Sequence, residues 1–235
     1  MKPYTYLLVD FLTVIICFIF SFHQRIQFQK HFLSFLKAST VVAIPFLIWD
    51  IWFTKSGVWW FNFDYTLGID IFGLPLEEWL FFICIPFSCV FTFFFLEKFF
   101  QFNELKKYNS LIAWITILTC AAVAVCFYDR AYPMLTSLAA IFTMSYLHFI
   151  ARVDWIAKAS LVFCILMLGF FPVNGVLTGT GLESPIVNYH SSEILNIRLL
   201  TIPIEDTVYG YTQFLLVWYF FGYFRKRAEL RSIRG

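Results

Sequence analysis

The sequence predicts an all-α membrane protein of about seven transmembrane helices, arranged as two parallel three-helix repeats joined by a connector helix. Three observations lead there. Hydrophobic residues make up 60% of the 235 positions and charged residues only 14%, against roughly 25% charged in soluble proteins, and the mean hydropathy is +0.76. Apolar runs of about twenty residues, the length that crosses a bilayer, recur along the whole chain. A pattern of polar residues in the first half also returns in the second.

The first run, Tyr4–Phe22, follows Met1-Lys2 and imitates a signal peptide. Asp10 interrupts it and no small-x-small cleavage site follows, so a retained helix is expected. Further spans are expected at Leu33–Phe53, Pro75–Leu96, Leu111–Tyr128, Ala131–Ile150, Trp155–Phe171 and Leu200–Phe224. Two connections are long, Thr54–Leu74 and Pro172–Leu199, and each leads directly into an acidic motif. Placing the first, third and fifth connections and the C-terminus in the cytoplasm collects 13 of the 17 Lys and Arg residues there. By the positive-inside rule the N-terminus is then outside and the C-terminus cytoplasmic in a cell membrane crossed several times.

The repeat aligns Asp50, Asn62 and Glu77, spaced by 12 and 15 residues, with Asn174, Asn188 and Glu205, spaced by 14 and 17. Residues 1–109 form the first three-helix repeat, 110–130 the connector helix and 131–235 the second repeat. An odd number of crossings between the halves makes them parallel.

Pro75-Leu76-Glu77-Glu78 and Pro203-Ile204-Glu205-Asp206 place four carboxyls where membrane helices begin. Pro at the first helical position and acids in the first turn suit helix entry and the helix dipole, and in a soluble protein capping would suffice as an explanation. In hydrocarbon an ionisable residue is costly and marks a functional site by default. Neighbouring residues lie about 100° apart around a helix, so at least one of each pair faces the protein interior. Paired acids in apolar surroundings are what acid–base chemistry without a cofactor requires, one carboxyl donating a proton and another accepting it. Burial and a neighbouring carboxylate favour the neutral form while the helix N-terminus favours the charged one, so the individual roles stay open.

Protonation of an alkene at such a site would generate a cation that aromatic faces can stabilise, and 32 Phe residues are a source. An interfacial belt is the ordinary reading of Trp59, Trp60, Phe61, Phe63 and Tyr65, and packing or lipid contact that of Phe91, Phe93, Phe94 and Phe95. Phe81 and Tyr209 lie one turn after the first Glu of each motif, and Asp50 and Asn174 end the second and sixth helices. With Asn62 and Asn188 they are the candidate substrate-binding or supporting residues. Asp10 lies deeper, lacks a repeat partner and is expected to be a polar packing contact.

Other chemistries fit poorly. All six cysteines fall in apolar runs without C-x-x-C spacing, and His23, His31, His148 and His190 form no metal-binding pair. Gly179-Thr180-Gly181 lacks the strand and third glycine of a dinucleotide loop. No lysine precedes Lys226 in the last span to carry retinal, and no basic stripe interleaved with aromatic platforms suggests nucleic acid.

The duplicated motifs, with Trp79-Leu80-Phe81-Phe82, Trp49-Asp50 and Trp60-Phe61-Asn62-Phe63, resemble the small membrane carotenoid cyclases of the heterodimeric type, here fused in one chain as in archaeal and some bacterial lycopene β-cyclases. The resemblance implies an isomerase of the intramolecular lyase kind, converting the ψ ends of lycopene or a related carotene to β-ionone rings in carotenoid biosynthesis. Glu77, Glu78, Glu205 and Asp206 would be the acid–base set. No bound FAD or nicotinamide, no metal and no other cofactor is implied. The partners would be the carotene and the lipid bilayer, with a second copy of the chain or other carotenoid-pathway enzymes as protein partners. A proton-coupled transporter and a non-catalytic carotenoid-binding protein are the alternatives.

Overall fold

A computed structural model describes residues 2–101 and 103–232. Among them are seven α-helices: α1 Thr5–Ser21, α2 Phe32–Ser56, α3 Leu76–Phe99, α4 Asn109–Cys126, α5 Ala131–Ser145, α6 Ile156–Leu177 and α7 Ile204–Ser232. Six helical stretches, Lys2–Ser21, Phe28–Ser56, Leu76–Phe99, Glu104–Cys126, Ala131–Ile150 and Ile156–Leu177, are long and apolar enough to cross a membrane. These track the first six expected spans. The seventh differs: α7 is long, but Glu205, Asp206, Thr207, Thr212 and Gln213 crowd its first half and lower its hydropathy. Large apolar side chains such as Ile16, Leu118, Val125, Phe142 and Leu168 remain exposed, as suits helices solvated by lipid rather than water. Helix α6 also runs through Pro172 to Leu177, so the long connection begins later than expected and Asn174 lies in the last turn of the helix.

The connections before α3 and α7 are small β-hairpins. Strands β1 Trp59–Phe61, β2 Asp70–Ile71 and β3 Leu74–Pro75 precede α3, and β4 Val187–Tyr189, β5 Arg198–Leu199 and β6 Ile202–Pro203 precede α7. β2 pairs antiparallel with β3, Asp70 opposite Pro75, and β5 with β6, Arg198 opposite Pro203. One offset, 128 residues, carries each strand of the first set onto the second. The turns follow the same register: Phe72 and Leu200 both adopt φ of 60°. Bulky residues seldom take that left-handed conformation, so its recurrence argues that the hairpin geometry is imposed by the surrounding structure. β1 takes β4 as its partner, and the His190 N–H bonds the Val58 carbonyl beside it at 2.8 Å.

The described residues pack as two compact units, one of residues 2–56, 61–98 and 213–232, the other of 57–60, 99–101 and 103–212. The first is built on aromatic packing. Phe28 is fully buried with the rings of Phe87, Phe91, Phe94 and Phe221 centred 5.2–5.7 Å away, and Phe93 stacks on Trp218 at 3.9 Å. Much of the Phe surplus is therefore spent on packing well along α3 from its acids. Pro86 has no N–H to bond the Phe82 carbonyl one turn back, and that carbonyl instead accepts the Ser39 hydroxyl of α2 at 2.8 Å. In the second unit, the Asn109 Oδ1 accepts the Ala157 N–H at 2.8 Å at the entry of α6, and Ser160 and Tyr211 share a hydrogen bond of 2.6 Å.

Candidate active site

In the first unit the acidic motif starts α3 directly out of β3, and the Leu76 N–H bonds the Ile69 carbonyl at 2.9 Å. Glu77 is fully buried. Its Oε1 accepts the Leu67 N–H at 2.7 Å, while Oε2 has no hydrogen-bond partner among the described residues. Glu78 points elsewhere. Its Oε2 accepts the Tyr6 hydroxyl of α1 at 2.5 Å, and Asp50 of α2 lies beside its carboxyl. Two buried neighbouring carboxyls can share one proton. One turn beyond Tyr6, Asp10 is 1% exposed and neither of its oxygens has a hydrogen-bond partner among the described residues.

The second unit repeats this wiring. The Ile204 N–H bonds the Ile197 carbonyl at 3.0 Å, and Glu205 Oε1 accepts the Leu195 N–H at 2.6 Å while its Oε2 is likewise unpartnered among the described residues. Asp206 accepts two phenols, Tyr132 of α5 at 2.7 Å and Tyr189 of β4 at 2.8 Å. Around them lie Trp59, edge-on to Tyr132 at 5.2 Å, the stacked Tyr132–Tyr189 pair at 6.0 Å, and Tyr209, centred 6.4 Å from Tyr132. The first acid of each motif thus anchors the preceding loop, and the second meets a tyrosine from the first helix of its repeat.

The supporting candidates divide. Asp50 is buried against Glu78, and Tyr209 stands beside Tyr132. Phe81 is half-buried with its ring against Phe82 at 6.0 Å. Asn174 engages through its backbone carbonyl, which accepts both the N–H and the hydroxyl of Thr178. The Asn62–Asn188 correspondence is corrected by the hairpin register: an offset of 128 sets Asn62 against His190. Asn62 Oδ1 accepts the Asp64 N–H at 3.0 Å, and His190 Nδ1 takes the Ser192 N–H at 3.4 Å, the same bond two residues on. Asn188 instead donates to the Pro185 carbonyl at 3.3 Å.

Tyr6, Tyr132 and Tyr189 are functional candidates that the acid-centred reading passed over. A signal for the first two exists: each stands near the start of an apolar helix, and each is followed four residues later by a buried polar residue, Asp10 or Thr136. Tyr6→Phe removes the buried O–H that meets Glu78, and a loss of about 1 kcal/mol of stability is expected. The thermal midpoint of the detergent-solubilised variant measures it, and an unchanged midpoint would mean the bond contributes nothing.

The family model described as Lycopene cyclase matches residues 3–96 and 129–224. The first segment contains Tyr6, Asp10, Asp50, Glu77 and Glu78, and the second Tyr132, Tyr189, Glu205 and Asp206. No curated protein and no solved structure matches the chain significantly.

Proposed function

The chain belongs to the lycopene cyclase family, and on that premise we propose that it is a lycopene β-cyclase of the fused heterodimeric type, acting by acid–base chemistry without a cofactor. The observation that carries the reading is the burial of Glu78 beside Asp50, two carboxyls withdrawn from water together, a setting that favours retention of a proton on one of them. Cyclisation of a ψ end needs a proton donor first. Glu78 gives its proton to C2 of the end group, leaving a cation at C1. The C5–C6 double bond attacks C1, closing the ring and moving the cation to C5. Loss of a proton from C6 then forms the C5–C6 double bond of a β ring. The proton gained at C2 balances the proton lost from C6, so the reaction is an isomerisation, of intramolecular lyase type, with no redox change.

In the second unit the carboxyl of Asp206, flanked by Trp59, Tyr132 and Tyr189, suits a cationic intermediate, since negative charge and aromatic faces both attract it. Glu77 and Glu205 hold the loops in place and complete the acid–base set. The substrate reaches such sites from the bilayer, a C40 polyene being about as long as the roughly 30 Å hydrocarbon core is thick. The N-terminus outside and the C-terminus in the cytoplasm follow from the distribution of Lys and Arg.

Expression of the chain in lycopene-accumulating cells tests the proposal. The expected result is β-carotene on chromatography, with one deuterium gained per ring when membranes are assayed in deuterated water. Lycopene recovered unchanged beside a membrane-inserted protein would refute it.

A further inference from the structure

We propose that Asp10 is the base that removes the ring proton and thereby sets the type of ring formed, an inference that rests on the cyclisation reading above. Asp10 combines complete burial with two carboxyl oxygens that have no hydrogen-bond partner among the described residues. Burial of an unpartnered carboxyl is costly, and a ligand would offset that cost. The other acids of the unit are at least partly engaged: Glu78 by Tyr6 and Asp50, and Glu77 at one oxygen by the Leu67 N–H. Among the described buried acids of the unit, Asp10 is the one with both oxygens uncommitted.

Its placement fits a partner for the acid. Asp10 follows Tyr6 by four residues and shares its face of α1, about 6 Å along the axis, and Tyr6 donates its hydroxyl to Glu78. The charges of Glu77 and Glu78 of α3 act on Asp10, and Asp10 in turn acts on Tyr6 of its own helix and on Cys84 of α3. A donor and an acceptor each about 3 Å from the carbon they serve, on opposite sides of a six-membered ring, stand roughly one helical turn apart. Helix α1 places Asp10 one turn from the tyrosine that holds Glu78.

The proton inventory closes. The Glu78 proton forms the C–H bond at C2, and the Asp10 carboxylate takes hydrogen from C6 while the electrons of that C–H bond become the C5–C6 double bond. Asp10 is then protonated and Glu78 ionised, and transfer of one proton between them restores the starting state. Removal of hydrogen from C4 instead would give an ε ring, and from the C5 methyl a γ ring, so the reach of this carboxylate decides the product. The second unit lacks the group. Thr136 stands four residues after Tyr132, buried with its hydroxyl unpartnered among the described residues, and a neutral hydroxyl is too weak a base for this step.

Asp10→Asn, Asp10→Glu and Thr136→Val are compared with the unmodified chain in lycopene-containing membranes, with protein amount quantified and β, ε and γ products resolved by chromatography. Asp10→Asn is expected to lower ring formation by about 100-fold or more, the range lost with a general base. Asp10→Glu, with its carboxylate one methylene further out, is expected to keep measurable turnover and shift the product ratio towards ε or γ rings. Thr136→Val is expected to keep the original ratio. A merely structural Asp10 would change yield and leave the ratio fixed. If Asp10→Asn fails to accumulate, Asp10→Glu decides alone, an unchanged ratio overturning the assignment. An unmodified chain that forms rings beside variants of unchanged rate and ratio defeats only the role of Asp10, whereas an unmodified chain that forms none defeats the cyclase reading and this role with it.

Discussion

Glu78→Gln forms no measurable rings while accumulating in the membrane at the level of the unmodified protein. Glutamine is nearly isosteric with glutamic acid, so its amide oxygen still accepts the Tyr6 hydroxyl and its NH2 group can donate to the neighbouring Asp50. What it lacks is an acidic proton. Loss of a general acid typically costs 10²- to 10⁴-fold, and the expected fall in ring formation lies in that range. Chromatography of pigments from lycopene-accumulating cells, with the protein quantified by immunoblot, gives the answer. Full conversion by this variant would move the donor away from Glu78.

Asp206→Asn is expected to reduce ring formation by about 100-fold, equivalent to roughly 2.7 kcal/mol of transition-state stabilisation. The carboxyl accepts from both Tyr132 and Tyr189. The amide satisfies one phenol through its oxygen and obliges the other to turn and accept from its NH2 group, so the local structure survives. The negative charge does not. Asp206→Glu restores that charge and is expected to recover part of the rate. Initial rates in isolated membranes separate the two variants, and equal, unimpaired rates would exclude the second unit from the chemistry.

Hydropathy made most of the fold readable, because a helix that must satisfy its backbone internally within lipid needs an unbroken apolar run. The first six spans and their helices agree to within a few residues at most ends. Pro172 concealed the last two turns of α6, since a proline reads as a boundary although a membrane helix can contain one. The polar residues at the start of α7 follow from its double duty as acid carrier and helix. The hairpins escaped notice because strands of two or three residues leave no periodic signature.

Within the site, the acids announced themselves by their cost, and Asp50 by its place beside an acidic motif. The tyrosines did not, since Tyr near a helix end reads first as an interfacial anchor. Alignment of the repeats also slipped. Asn62 and Asn188 match by residue type, but the hairpins keep a spacing of 128 residues, and the strand register together with the hydrogen bonds at Asn62 and His190 exposes the two-residue difference. Asp10 has no acidic counterpart: Thr136, a different residue type, stands in the equivalent place four residues after Tyr132.

The bond from Ser39 to the carbonyl freed by Pro86 acts like a rivet between two struts. It joins α2, which carries Asp50, to α3 one turn from Glu78, so sliding of either helix past the other would shear it. The helix of Asp50 and the helix of Glu78 are thereby joined by a contact that bears no charge, through a backbone carbonyl that a proline left free.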